Sequence, residues 1–390
     1  MPTPSLATLT EEQQLIVSEV RRFVDKEVIP VATELEHRDE YPVDLIEQLK
    51  VLGMFGATIP EEYGGLNLPF STYAAIVEEL SRGWMSLGGV LNTHVMVSWM
   101  IDAYGSEEQK ERWLPAMATG ERRAGLCMTE PDAGSDVQAI KTVARRDGDH
   151  YLVKGQKMFV SNGIHGKLFA TLVKTDPQAK PAYKGMSLLI IDKEATPGLI
   201  VGRYLEKLGY KGIDTTEFTF DDAQVPVADL LGAREGEGFS QVLSGLEIGR
   251  INVASRAVGV AQAALEDSIR YAKQRWAFGR PIAEHQAIQL KLADMATKIE
   301  AARLLVHAAA AKKDSGERSD LEVGMAKLFA TEMCQEVALE AMRIHGGYGY
   351  IKEMRVERYY RDAPFMLIGE GTSEIQKLVI ARALLRQYAT

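Results

Sequence analysis

A chain of 390 residues with 46% hydrophobic and 25% charged content is long enough for two or three domains, or for one large core with sub-domains, and sits in the ordinary range of soluble globular proteins. Its 45 basic against 54 acidic residues leave a net charge of −9, which argues against a general nucleic-acid or membrane-surface binder while leaving room for a local basic site for a phosphorylated ligand. The two cysteines, Cys127 and Cys334, stand too far apart to suggest a disulfide framework or a zinc cluster.

The opening MPTPSLATLTEEQQ lacks the basic-then-apolar order of a signal peptide and the Arg-rich character of a transit peptide. No run is long enough to span a bilayer. A cytoplasmic, bacterial protein is therefore expected, with a processed protein of the mitochondrial matrix as the alternative. Thr10 to Gln13 reads as a capping box. It opens a helix with Ile16, Val20, Phe23, Val24 and Val28 at helical spacing, expected to stop at Pro30. Helical patterns follow over 42–52, 71–80 and 87–105, and a capped one over 106–120. From about Arg122 the character changes. The runs HYLVKGQKMFVSNG, LFATLVKTD, MSLLIIDK and TEFTFDDAQVP are β-rich and separated by Gly, Pro and Asp turns. No β-α alternation accompanies them, so an antiparallel barrel or sandwich is expected rather than a doubly wound sheet. After GAREGEGF the sequence holds two very long amphipathic patterns rich in Ala and Gly, as in an antiparallel helical bundle. The expected fold class is α+β, with a helical N-terminal domain (1–122), a middle antiparallel β-barrel or sandwich (123–233) and a C-terminal four-helix bundle (234–390).

Neither a G-x-G-x-x-G fingerprint nor a P-loop is present, and the seven histidines show no ligand spacing, so a Rossmann-bound nicotinamide, a P-loop nucleotidase and a metal centre are disfavoured. Four segments are unusual, and each has a plain alternative. CMTEPDAGSD, Cys127 to Asp136, offers exposed amides and hydroxyls to a flat polar ligand, or is an acidic connecting loop. KQRWAFGRPIAEHQAI brackets Trp276 and Phe278 with Arg275 and Arg280, whose guanidinium groups suit a pyrophosphate, or is a helix–helix turn. RIHGGYGY, Arg343 to Tyr350, lets a ligand approach bare backbone, or is a glycine C-cap. IGEGTSEIQ, Ile368 to Gln376, puts Glu370 between two glycines ahead of a helix. That is either an anion at the positive end of a helix dipole or a base on backbone that a substrate can approach closely.

Together and in this order, TEPDAGSD, KMFVSNG, FDDAQVPVADLLG, RWAFGRPIAEHQAIQ, IHGGYGY and EGTSEIQ closely resemble the flavin-dependent acyl-CoA dehydrogenases, over nearly the whole chain. The resemblance implies one FAD per subunit, an acyl-CoA substrate, electron-transfer flavoprotein as the acceptor, and a homotetramer built as a dimer of dimers. It implies that the loop carrying Leu126, Met128, Thr129, Gly134 and Ser135 contacts the flavin, with Phe159, Val160 and Ser161 on the strand behind the ring. Phe159 stands where Trp is frequent. Arg275, Phe278, His285 and Gln286 would reach the FAD of a neighbouring subunit, with Gly346 and Gly347 lining the same pyrophosphate and adenosine. Arg343 takes a position where Gln is common, and Thr372 and Glu374 would also face the cofactor.

Glu370 matches the family's catalytic base, which takes the α-proton while the β-hydride goes to flavin N5. Gly369 and Gly371 would let the thioester approach, and Ser135, Glu247 and Arg250 match other positions that contact substrate or CoA. The position to which some relatives move the base is Gly249, which carries no carboxylate. Leu87 takes the place where glutaryl-specific members carry an Arg, which disfavours a dicarboxylyl substrate. Gly369 stands where straight-chain enzymes have Tyr, and Gly88 and Gly89 reduce bulk on the pocket helix, so a branched or bulky acyl group is expected. An oxidase or an enoyl-CoA reductase on the same scaffold, and a catalytically silent acyl-CoA-binding homologue, are the competing expectations.

Overall fold

The computed structural model describes residues 9–388; the signal-free reading of residues 1–8 lies outside them. The capping box forms as expected: Thr10 Oγ1 accepts from Gln13 N–H (3.3 Å), and Gln13 Oε1 accepts from Thr10 N–H (3.0 Å). Helix α1 (Glu11–Phe23) does not end at Pro30. It runs into a π-helical turn over Val24–Val28 and on into α2 (Ile29–Arg38), with Pro30 in the first turn of the new segment. A proline at a helix start removes no bond the helix would otherwise make, and the widened turn before it accommodates the ring.

Three further helices, α3 (Val43–Val51), α4 (Phe70–Gly83) and α5 (Met85–Tyr104), agree with the expected patterns. Ser106 and Gln109 form a second capping box that opens α6 (Glu107–Ala118). Helix α5 is buried from Met85 to Ser98 on every face, because it lies between the other helices and the sheet.

The middle block is one mixed sheet. Its strands are β1 (Ala124–Cys127), β2 (Val143–Asp147), β3 (His150–Ser161), β4 (Leu168–Lys174), β5 (Met186–Asp192), β6 (Leu199–Tyr204) and β7 (Thr215–Pro226), in the order β1-β4-β2-β3-β7-β6, with β5 also on β4. The expectation of purely antiparallel pairing needs correcting. Strand β1 lies parallel to β4 with Ala124 opposite Leu168, and β2 meets β4 parallel at Val143 and Lys174. Chain leaving α6 enters the sheet beside a strand that comes later in sequence, so no hairpin links the two. One sheet face (Leu168, Ala170, Leu172, Leu188, Ile190) packs on Val97 and Ile101 of α5 and on α6, while the other (Phe169, Ile191, Phe218, Phe220) closes a core between the strands.

The C-terminal part holds α7 (Gly238–Gln274), α8 (Gln286–Asp314), α9 (Asp320–His345), α10 (Val356–Ile368) and α11 (Ser373–Gln387). The first three pack on one another, and α10 and α11 lie on α9. A two-residue hairpin separates α7 from α8: β8 (Trp276–Ala277) pairs with β9 (Arg280–Pro281) around Phe278 and Gly279, both at positive φ, as a type I′ turn requires. Residues of α1 to α5 and of α7 to α10 share a single apolar core. The two helical regions, separate in sequence, therefore form one packed body with the sheet on its flank, and α5, α7 and the α10–α11 junction meet at its centre.

Candidate active site

Glu370 sits in that junction, at φ 56°. The plain helix-start reading applies to its neighbour instead: Thr372 caps α11, its Oγ1 accepting from Ile375 N–H at 3.3 Å. Glu374 stays exposed in the first turn, and its carboxyl is lowered by its own backbone amide and by Thr372. The Glu370 carboxylate turns inward. Oε1 accepts from Asn92 Nδ2 of α5 at 2.9 Å. Oε2 lies 2.7 Å from where a Cβ on Gly249 of α7 would stand, and Met96 Sδ is at the same distance from that point. Any side chain at Gly249 would strike the carboxylate, so the bare residue leaves the carboxylate its room.

The junction is fixed through backbone oxygens. Arg250 Nε donates to Glu370 O at 3.4 Å and Gln376 Nε2 to the same oxygen at 3.1 Å, while buried Lys327 donates from Nζ to Gly371 O at 2.8 Å. Burial pushes the Glu370 carboxyl above the usual range, against the pull of Arg256, Asn92, Arg250 and Lys327. Burial likewise brings Lys327 down to about 8, opposed by Glu370. A desolvated carboxylate with a raised pKa, held at a left-handed backbone position, is the arrangement a general base toward a weak carbon acid needs.

The glycines expected to open space are covered. A Cβ on Gly89 would come within 1.8 Å of the Tyr210 hydroxyl, and one on Gly88 within 3.0 Å of Arg256 Cγ. A Cβ on Gly369 would meet the Phe365 ring at 2.9 Å. Tyr210 and Phe365 stack, centroids 4.4 Å apart, so Gly89 and Gly369 admit aromatic side chains of the protein itself, and Gly88 admits Ser81 and the Arg256 stem. Glu247 does not stand open either. Its Oε2 accepts from Lys313 Nζ at 3.0 Å and from Ser319 Oγ at 3.2 Å.

On the sheet side, Phe159 stands at φ 58° inside a register shift of β3 and is 64% exposed. A bulge re-aims a side chain outward in this way. Val160 is buried in the sheet core, so only its backbone is available to a ligand. Ser161, Leu126 and Met128 are half-buried, and Gly134 and Ser135 exposed. The loop is tied down by contacts that sequence patterns do not reveal: Thr129 O accepts from Met158 N–H at 2.8 Å, and buried Lys157 donates to Glu130 at 2.8 Å.

Across the bundle, Arg275, Gly346 and Gly347 line one cavity of about 480 Å³ with Tyr271, His345 and Tyr348. A Cβ on Gly346 or Gly347 would meet nothing within 4 Å. Phe278 is 96% exposed at the hairpin tip. His285 faces Ala277 O at 3.0 Å, Gln286 is exposed, and Arg343 pairs with Glu340. None of these four lines that cavity. An out-turned aromatic ring beside an open polar loop, together with a guanidinium lining one cavity with bare glycine backbone, fits a group that combines a flat ring with a pyrophosphate, as FAD does. Among the described residues no cluster suited to a metal occurs, and no helix is long and apolar enough to cross a membrane.

Sequence reasoning passed over Asn92, Tyr210, Arg256 and Lys327. Arg256 had a signal: with Arg250 it is the only charge between Glu247 and Glu266.

Comparison with known proteins gives the family. Residues 10–121, 125–223 and 236–385 match the N-terminal, middle and C-terminal domains of acyl-CoA dehydrogenase. An acyl-CoA dehydrogenase of Bacillus subtilis is 43% identical over 97% of this chain and 99% of its own length. A 3-(aryl)acrylate reductase of Clostridium sporogenes is 40% identical with the same coverage. The structure of butyryl-CoA dehydrogenase from Megasphaera elsdenii superposes with a TM-score of 0.94 at 37% identity, covering 97% of this chain and 99% of that one. These relatives are FAD-dependent flavoproteins. The chain belongs to the acyl-CoA dehydrogenase family.

Proposed function

We propose that this protein introduces a 2,3-trans double bond into an acyl-CoA thioester, with Glu370 as the base. The observation that carries the reading is the Glu370 carboxylate itself: buried, raised in pKa, held by Asn92 on Oε1 and left with Oε2 against bare Gly249. Oε2 takes the α-proton. The Glu370 amide donates to the thioester oxygen and stabilises the negative charge that develops there. Bound FAD supplies the two-electron acceptor for the β-carbon. The chain's own contribution is to hold the base, exclude water behind Tyr210 and Phe365, and fix the approach through Gly369 and Gly371.

In this reading the flavin ring rests on Leu126, Met128, Thr129, Ser135 and Phe159, with backbone from Gly134, Val160 and Ser161. Thr372 and Glu374 face it from α11. Arg275, Phe278, His285, Gln286, Arg343, Gly346 and Gly347 serve the FAD of a neighbouring copy in a homotetramer. Electron-transfer flavoprotein is the acceptor, and the cytoplasm the compartment. Ser135 and Arg250 contact the thioester or CoA; Glu247 does so through the Lys313 and Ser319 contacts it already makes. Phe365, Tyr210 and Arg256 pack against Gly369, Gly89 and Gly88, so these glycines alone do not carry the expected branched or bulky acyl group, which the acyl-CoA panel tests.

Steady-state assays with an acyl-CoA panel test the reading. Turnover with electron-transfer flavoprotein or an artificial acceptor, without peroxide, is expected; peroxide as the main product would make the protein an oxidase. The 40% identity to a 3-(aryl)acrylate reductase favours one second reading, the same chemistry run toward saturation. Faster reduction of enoyl thioesters than oxidation of acyl thioesters would select it.

A further inference from the structure

Beside its pull on Glu370 and its hydrogen bond to the Tyr210 hydroxyl, the buried cation Arg256 keeps donors that the acyl-CoA reading does not use. Helix α7 presents Gly249, Val253 and Arg256 on one face, at i, i+4 and i+7. The Gly249 end of that face meets Glu370. Arg256 lies about 10 Å farther along the axis, at 1.5 Å per residue. Its side chain is fully buried. The stem leans on Gly88 of α5, and the guanidinium carbon sits 5.2 Å from the Tyr210 ring and 5.5 Å from the Phe365 ring. Both Nε and Nη1 are buried with no hydrogen-bond partner among the described residues.

Three cations, Arg256, Arg250 and Lys327, bear on the one carboxylate of Glu370, so this end of the pocket carries surplus positive charge. Glu370 sits at the far end of the face and already receives Asn92. A buried guanidinium with two unused donors is costly unless an anion completes it. Its planar fork matches a carboxylate bidentately, and the flanking rings keep that contact dry and strong.

We propose that Arg256 recognises a second carboxylate at the distal end of the acyl group, so that the substrate is a short dicarboxylyl-CoA. The inference rests on the acyl-CoA reading above. The expected exclusion of such substrates considered only Leu87 on α5, whereas this charge arrives from the facing helix and touches α5 at the next residue, Gly88.

The test uses the FAD-loaded wild type, Arg256→Gln and Arg256→Lys with thioesters matched in length: pentanoyl- against glutaryl-CoA and hexanoyl- against adipyl-CoA. Two quantities are read: kcat/KM with an artificial acceptor, and the Kd of redox-inert analogues carrying sulfur in place of the β-carbon. A charge-assisted pair predicts that the wild type favours the dicarboxylyl member by roughly ten- to a hundred-fold in both readouts. Arg256→Gln is expected to erase that preference by lowering the kcat/KM and affinity of the dicarboxylyl member far more than those of its neutral match, and Arg256→Lys to retain part of it. A wild-type preference for the neutral members overturns the inference, and it decides the matter even if a variant fails to fold. So does an Arg256→Gln variant that weakens both members alike, since Arg256 is then only packing. Turnover and binding of neutral chains alone sinks this inference and leaves the dehydrogenase reading standing. Absence of turnover and binding with every thioester sinks both.

Discussion

The base junction and the hairpin-and-glycine region are built in opposite ways. Around Glu370 the groups that hold the carboxylate and its backbone have partners in the same chain, with Asn92 on the carboxylate, Arg250 and Gln376 on the backbone oxygen and Lys327 on Gly371. The Arg256 guanidinium behind them keeps Nε and Nη1 without a partner among the described residues. Around Phe278, Gly346 and Gly347 the chain leaves a nearly bare ring and open backbone. In the first region the carboxylate of Glu370 is positioned by its own chain, as preorganised chemistry requires. The second is shaped to be completed by something else. On the proposed reading, the reaction geometry is set within one chain, while the Arg275 region depends on what binds it.

Removing the base should break the closed region's function and nothing more. Glu370→Gln keeps the Asn92 contact and the fold but loses the proton acceptor. A fall in kcat of roughly 10²- to 10⁴-fold with unchanged flavin content is expected in a steady-state assay with an artificial acceptor. A loss of flavin together with activity would mean that the two regions are not separable.

The closure itself can be broken through Gly89, where a Cβ would press on Tyr210, whose amide is held by Asp362 Oδ1 at 2.7 Å. Overpacking of this kind costs about 1–3 kcal/mol, so Gly89→Ala should lower the denaturant midpoint by a readable amount. Stability equal to wild type would show that the α5–Tyr210 contact yields freely. The open region answers to a different readout: Arg275→Ala should weaken FAD retention by about tenfold, the worth of one charge-assisted contact, and leave the pH profile of the remaining holoenzyme unmoved.

The finest distinction concerns pH. If Glu370 is the base as proposed, its raised carboxyl must lose its proton to act, so kcat/KM should climb as pH rises through its pKa. Lys327 favours the ionised form. In Lys327→Met the rising limb should therefore move to higher pH, which a pH series of kcat/KM detects directly. An unmoved limb would leave Lys327 as a tether for Gly371 alone.

How much of this was legible in the sequence follows from the range of each interaction. The capping boxes at Thr10 and Ser106 are local, so spacing exposes them, whereas Glu370 between two glycines stays open between a helix-start anion and a base until the family resemblance favours the base. Strands β2 and β6 were missed because VARRD and LIVGRY lie mostly exposed and show no alternation. The parallel β1–β4 pair joins residues more than forty positions apart, with no turn signal between them. Pro30 was misread because a proline that breaks a helix and one that starts the next segment look alike in sequence. Gly88 and Gly89 were read as empty because composition does not say what packs against a glycine: Tyr210 and Arg256 come from the sheet-to-bundle loop and from α7. Asn92, Arg256 and Lys327 lie between 43 and 278 residues from Glu370 in the chain, and only the packing of α5, α7 and α9 around one junction gives them a role.

The most direct test of the central claim is anaerobic mixing of the FAD-loaded protein with acyl-CoA thioesters, neutral and dicarboxylyl, while the flavin absorbance is followed, with Glu370→Gln alongside. Rapid bleaching by one thioester in the wild type, lost in the variant, is the predicted result. Bleaching of equal speed in both proteins would contradict Glu370 as the base, and an intact flavin band with every thioester would contradict the dehydrogenation itself.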